Sequence, residues 1–212
     1  KVRRYLSVLA PLGLAHDDTR ISLDLPQELA GFASSFWARH GIDAQRPILL
    51  VSLRTTWKSK EWPPENFAAA LREVPEDVQI VFSGAKSDAP FIGTAQRELE
   101  KSRRGRSLSI AGETSLIETA ALMREATLLF SPDTGPLHIA AAVGLPTLSL
   151  WGPTRPSIYG PLHGNNVFFE TPYDCPPCCK THCPHGTNAC MAAIEPSAAA
   201  RRLKEVLECL RK

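Results

Sequence analysis

The chain reads as an α/β domain, a Rossmann-like parallel sheet with helices on both faces. Three observations predict it. Short, nearly continuous apolar runs at 47–53, 78–82, 127–130 and 147–151 have the make-up of strands buried on both sides. Stretches with helical spacing alternate with them, so the strands are joined by crossovers and pair in parallel. Polar, glycine-containing turns follow the runs, where open α/β sheets bind ligands.

The composition is that of a globular protein. The chain has 212 residues, enough for a substantial core, with 43% hydrophobic and 22% charged residues. A formal charge of +2 argues neither for nor against an anionic partner. No apolar run approaches the roughly 18 residues of a membrane span, and no signal-peptide pattern opens the chain. Position 1 is Lys1 rather than Met, which raises the expectation of a longer parent.

In order, Tyr5, Leu6, Val8, Leu9 and Leu12 make an apolar cluster broken by Pro11 and stopped by Gly13, a short helix with its C-terminal signal. Ile21, Leu23 and Leu25 alternate with polar residues, as in a short strand or an extended crossing segment. Leu29, Phe32, Ala33, Phe36 and Trp37 predict a helix over 26–40. The strand at 47–53 runs into Arg54-Thr55-Thr56-Trp57-Lys58-Ser59-Lys60-Glu61-Trp62-Pro63. Thr hydroxyls donate to phosphate oxygens and Lys pairs with them as a point charge, although composition alone favours a solvated basic loop.

A helix over 64–74 and a strand at 78–82 follow, then a turn in which Gly84 suits a tight bend. Asp88 there either caps the next helix, 89–101, or accepts from a ribose hydroxyl. The basic cluster 103–106 at that helix's end reads as solvated surface favoured by the dipole. It lacks the interleaved aromatics of a nucleic-acid site, so no nucleic-acid partner is expected. Strand, turn and helix start occupy 108–116, with Thr114 or Ser115 as cap and Ile117, Ala120, Ala121, Met123 and Ala126 as the apolar face.

The elbow after the 127–130 run is Ser131-Pro132-Asp133-Thr134-Gly135-Pro136-Leu137-His138. Asp133 or Thr134 can cap the helix it opens, and Pro136 near the first turn forfeits no needed hydrogen bond. Gly135 lets a ligand approach the backbone, and free N–H groups with the helix dipole favour an anion. His138 can point at the same ligand. The plainer reading is a capped core helix with an incidental His. Neither Gly-x-Gly-x-x-Gly nor a Walker loop occurs, which argues against dinucleotide oxidoreductases and P-loop enzymes.

Five of the six cysteines fall between 175 and 190. Cys175-x2-Cys178 with Cys183-x6-Cys190 can furnish four thiolates to zinc. Cys179, His182 and His185 leave the ligand choice ambiguous, and reduced thiols or a disulfide are the alternatives. Cys209 joins Leu203, Val206, Leu207 and Leu210 on the last helix as a core residue.

The phrase Asp133-Thr134-Gly135-Pro136-x-His138-x-Ala140-Ala141-Ala142-x-Gly144-x-Pro146, followed by Trp151-Gly152-Pro153-Thr154-x-Pro156 and Gly160-Pro161, resembles the signature of the ADP-heptose:lipopolysaccharide heptosyltransferases, glycosyltransferase family 9. These are inverting, two-domain GT-B enzymes. Thr55-Thr56-x3-Lys60-x-Trp62-Pro63 resembles the second signature, which makes Thr55, Thr56 and Lys60 phosphate-contacting and leaves Lys58 on the surface. The family's small turn before that loop is replaced here by Val51-Ser52-Leu53. Asp88 stands where an acidic residue, usually Glu, contacts the ribose, and Thr114 where a loop borders the base. Tyr5 to Gly13 resembles a phrase near the end of the N-terminal domain, and the cysteine loop has counterparts without a general metal requirement.

The resemblance implies a tail of an N-terminal domain plus linker at 1–46, a nucleotide-sugar-binding domain at 47–165, a Cys-rich loop at 166–195 and a final helix at 196–212. It implies an ADP-sugar donor and a lipopolysaccharide inner-core acceptor. Lys60 and His138 would act on the departing diphosphate beside Asp133, Thr134, Gly135 and Pro136. Neither cofactor nor catalytic metal is implied. The general base belongs to the other domain, so this half is expected to bind donor without turnover. The expected place is the cytoplasm, at the inner face of the inner membrane through the other domain. The competing reading is a non-catalytic nucleotide-binding or zinc-stapled interaction module.

Overall fold

The computed structural model describes residues 2–14, 18–103, 105 and 107–211. The strands β1 (Ile48–Ser52), β2 (Gln79–Ser83), β3 (Ser107–Ser109), β4 (Leu128–Pro132), β5 (Thr147–Trp151) and β6 (Asn166–Glu170) form a six-stranded sheet. Its order is β3-β2-β1-β4-β5-β6 and every neighbouring pair is parallel. This is the doubly wound Rossmann order, in which the chain leaves the sheet's middle first one way and then the other. The helices are α1 (Val2–Leu6), α2 (Phe32–Arg39), α3 (Pro64–Leu71), α4 (Ala89–Glu100), α5 (Leu116–Glu125), α6 (Gly135–Ala142), α7 (Pro156–Tyr159), α8 (Ala189–Ala192) and α9 (Pro196–Leu210).

The pleat of β1 separates two cores. Leu49 and Val51 face one layer with Phe67 and Leu71 of α3, Ile92 and Leu99 of α4, and Leu203 and Leu207 of α9. Ile48 and Leu50 face the other, with Phe36 and Trp37 of α2, Leu122 and Met123 of α5, and Ala140 of α6. Both faces are dry, which is why these strands read as unbroken apolar runs. Among the described residues no helix is long and apolar enough to cross a membrane.

Several expectations change. The helix expected over 26–40 is split: Gln27–Leu29 is a 3-10 turn, Gly31 takes φ +73°, and α2 starts only at Phe32. Residues 21–25 form no strand but cross extended, with the Leu23 N–H donating to Ala142 O at 3.0 Å. Trp37 is fully buried in the core, so 32–42 is part of this domain's body rather than linker. The expected Cys-rich loop opens with β6, an edge strand whose Val167 and Phe169 turn inward while Phe168 and Glu170 face out. Edge alternation hides such a strand from a search for continuous apolar runs.

Two surface assignments are reversed. Arg103 is buried, with its guanidinium donating to Pro75 O at 2.8 Å and Val78 O at 3.0 Å. Burial lowers its pKa, and it ties α4's end to the turn before β2. Its companions Arg104 and Arg106 lie outside the described residues. Cys209, expected in the core, is exposed, because it sits about a third of a turn off the centre of the stripe set by Leu203, Val206 and Leu207.

If α2 is part of the core, Trp37→Ala should lower unfolding free energy by about 3–5 kcal/mol in urea denaturation followed by circular dichroism. A loss below about 1 kcal/mol would make α2 a removable appendage.

Candidate functional site

β1 and β4 are neighbours whose onward connections go to opposite halves of the sheet, so nothing in the winding covers the crevice at their carboxyl ends. A cleft of about 720 Å³ lies there. Thr55 and Thr56 after β1, Asp88 after β2, Thr114 before α5, and Thr134, Gly135 and Pro136 after β4 all line it. Residues spread over 82 sequence positions, from 55 to 136, share one wall because the sheet is parallel and every strand ends on the same side.

At the start of α6 the expected cap is missing. Thr134 holds the N-cap position with extended backbone, but its side chain makes no capping bond. Its hydroxyl donates instead to Arg54 O at 3.3 Å, tying the elbow to the loop after β1. Asp133 is not the cap either. Among the described residues the N–H groups of Thr134 and Gly135 meet no acceptor, and Pro136 has none to offer. A Cβ built on Gly135 would meet nothing within 4 Å, so the space before these donors is open. An uncapped, accessible helix start is suited to an anion.

Beside the cleft lies a compact ionic cluster. Asp133 is only 5% exposed, and its Oδ2 accepts from Lys60 Nζ at 2.6 Å and from Thr154 Oγ1 at 2.7 Å. Lys60 arrives on a 3-10 turn, Lys58–Lys60, and its ammonium also stands 4.1 Å from the Trp57 ring centre. One donor of the ammonium is committed to Asp133, and two remain. His138, one turn into α6, completes the group. Its pKa lies below the ordinary imidazole value: desolvation of the ring lowers it most, Asp133 opposes this by raising it, and Lys60 lowers it further. At neutral pH the ring is therefore uncharged and available as donor or acceptor.

Asp88 stands at the N-cap position of α4 but makes no capping bond to it; its carboxylate closes the turn before that helix instead. Its Oδ2 accepts from the Ala85 N–H at 2.9 Å and closes the turn Lys86–Asp88, leaving Oδ1 3.8 Å from Arg54 Nε. Thr55 Oγ1 accepts from the Trp57 N–H at 3.3 Å, which shapes the loop, and Thr56 is exposed to the cleft. Thr114 pairs with Thr119 through their hydroxyls at 2.8 Å, while Ser115 caps α5. Lys58 points outward toward Glu61 with more than half its side chain in solvent.

Two residues of the site escaped the sequence reading. Arg54 lines the cleft, pairs with Glu61 at 2.8 Å and lies over the Phe91 ring. Its place directly after an apolar strand was the available signal. Thr154 is buried and steadies Asp133 from 21 positions away. It stood within the Trp-Gly-Pro-Thr phrase, but nothing in the spacing disclosed its partner.

Residues 1–188 match the family model of glycosyltransferase family 9 (heptosyltransferase). Lipopolysaccharide heptosyltransferase 1 of Pseudomonas aeruginosa is 30% identical over 165 residues, covering 75% of this chain and 44% of that protein. A glycosyl transferase family 9 structure from Veillonella parvula superposes with TM-score 0.82 at 23% identity, over 97% of this chain and 59% of that one. The E. coli ADP-heptose lps heptosyltransferase II structure gives 0.69 at 20% identity, over 90% and 54%. The chain thus spans about half the length of these relatives.

The His138 ring reports on the ionic cluster. Asp133→Asn should move its NMR titration midpoint further down and Lys60→Met should move it up, following the signs of the two interactions. Equal midpoints in both variants would mean that His138 does not share the cluster's field.

Proposed function

Because the chain belongs to glycosyltransferase family 9, the heptosyltransferases, we propose that its cleft binds the nucleotide diphosphate of an ADP-sugar for transfer to the lipopolysaccharide inner core. The observation that carries this reading is the uncapped start of α6 sharing the β1–β4 crevice with Thr55 and Thr56, with Lys60 held beside it on Asp133. A diphosphate there would accept from the Thr134 and Gly135 N–H groups, the threonine hydroxyls and the free donors of Lys60. The ribose would fall toward Asp88 and the base toward Thr114 and the exposed Leu116 shelf.

In sugar transfer the diphosphate leaves as the glycosidic bond to it breaks, and charge builds on the phosphate oxygen that was bonded to the sugar. Donors already fixed in place stabilise that charge without reorganising. Asp133 and Thr154 hold Lys60 ready, and His138 offers a further donor to the same oxygens. The acceptor hydroxyl must lose its proton to a base that this half does not supply, so we assign the chain donor binding rather than turnover on its own. The lipopolysaccharide acceptor, cytoplasmic operation and approach to the inner membrane would come with the rest of the enzyme.

Calorimetry tests the assignment. ADP should bind and raise the melting temperature where NAD and GDP do not. Lys60→Ala and His138→Ala should each weaken ADP about ten- to a hundredfold, the scale of one charged hydrogen bond. Unchanged affinity in both would remove the site.

A further inference from the structure

The cysteine loop takes no part in donor binding as described, yet its side chains are sorted. Of the five cysteines between 175 and 190, Cys175, Cys178, Cys183 and Cys190 line one cavity of about 670 Å³. Cys179 does not line it: its backbone is left-handed, with φ +50°, and its thiol is directed to the Tyr159 hydroxyl. His182 is likewise outside the lining, while His185 is part of it. The lining therefore sets Cys179 and His182 aside and leaves the two Cys pairs with His185.

The cavity has features of a thiolate site. Backbone N–H groups of Asn188, His185 and Thr187 are directed at the Cys183 sulfur, as in the tight turns that present thiolate ligands. Cys190 lies within electrostatic reach of the other three sulfurs. A side chain at Gly152 would enter the cavity, its Cβ falling 3.1 Å from Cys190 Sγ and 2.6 Å from Met191 Sδ. Among the described residues no three ligating side chains already stand in a metal-holding arrangement, so a metal would have to draw the four sulfurs together. Three of the four cysteines lie in 171–187, which contains no helix or strand.

We propose that Cys175, Cys178, Cys183 and Cys190 bind one thiophilic metal ion, zinc or iron, and that closing on it braces the turn that presents Lys60. Tetrahedral sets of four sulfurs select these metals. Binding of M²⁺ by four thiols forms four metal–sulfur bonds and releases four protons to solvent, with no change in oxidation state. The brace is already in place. Ser59, fully buried on the cavity wall, donates its N–H to Thr181 O at 3.1 Å and its hydroxyl to Lys180 O. Asn188 Nδ2 donates to Lys58 O at 2.9 Å. These bonds join the loop to both residues before Lys60.

Metal analysis of the purified, reduced protein should find one equivalent of zinc or iron per chain, and its identity distinguishes the two. Cys178→Ser and Cys183→Ser should lose it, whereas Cys179→Ser and Cys209→Ser should keep it. Should the losing variants fail to fold, cobalt titration of chelator-stripped wild type replaces them. Thiolate-to-cobalt charge-transfer absorption must rise to one equivalent, with four thiols protected from Ellman's reagent. The brace predicts that stripping the metal lowers melting temperature and weakens ADP binding; this last arm alone rests on the donor-site reading. Absence of metal with unprotected thiols in excess zinc or iron would overturn the site. Metal binding that leaves melting temperature unmoved would overturn the brace.

Discussion

The reversal of winding between β1 and β4 is the constraint on which the site depends. Each parallel crossover covers one face of the sheet on its side of the starting strand. Where the two directions part, the carboxyl ends of adjacent strands open into a crevice with no connection above it. The loop after β1 and the elbow after β4 are therefore forced to face one another. Thr134 fastens them by donating to Arg54 O, so the two cleft walls are held in fixed relation by one bond between loop and elbow.

Within that crevice Asp133 organises the charges. A carboxylate at 5% exposure needs partners, and Lys60 and Thr154 satisfy one of its oxygens directly. The same contact fixes the lysine beside the helix start. Because Asp133 is engaged in this pair it does not fold back over the α6 N-terminus, and the Thr134 hydroxyl is likewise taken by Arg54 O. Two residues that by type would cap the helix are both employed elsewhere, and the N–H groups stay open. An expectation from residue type, that Asp or Thr caps the helix, fails here because tertiary partners outcompete the local one.

That contrast explains how far the sequence could be read. Strands with both faces dry announce themselves as unbroken apolar runs, so β1, β2, β4 and β5 were visible within a residue or two. β6 was not, because an edge strand pairs on one side and its outward Phe168 and Glu170 break the run. The cleft-lining Thr55, Thr56, Thr134 and Gly135 were legible since Thr and Gly after strand ends carry their chemistry locally. Thr154, Arg54 and the burial of Arg103 were hidden, for each is defined by a partner far away in sequence. The sorting of Cys179 from its four neighbours was equally invisible, since spacing cannot say which way a loop residue turns.

The charges of the site bear on how it attracts an anion. Arg54 lines the cleft and Lys60 stands beside it, and Glu61, Asp88 and Asp133 already pair with them. With a formal charge of only +2 on the whole chain, no strong long-range field draws a diphosphate in. On the proposed reading, attraction would come from donors aimed at short range: the open N–H groups of α6, the hydroxyls of Thr55 and Thr56, and the uncommitted protons of Lys60 beside the cleft. Dipoles fixed by the backbone are less sensitive to salt than exposed charge pairs, and they favour the oxygens they face over any anion of equal charge but different shape. Under the proposed function, such a site would select a diphosphate by its geometry.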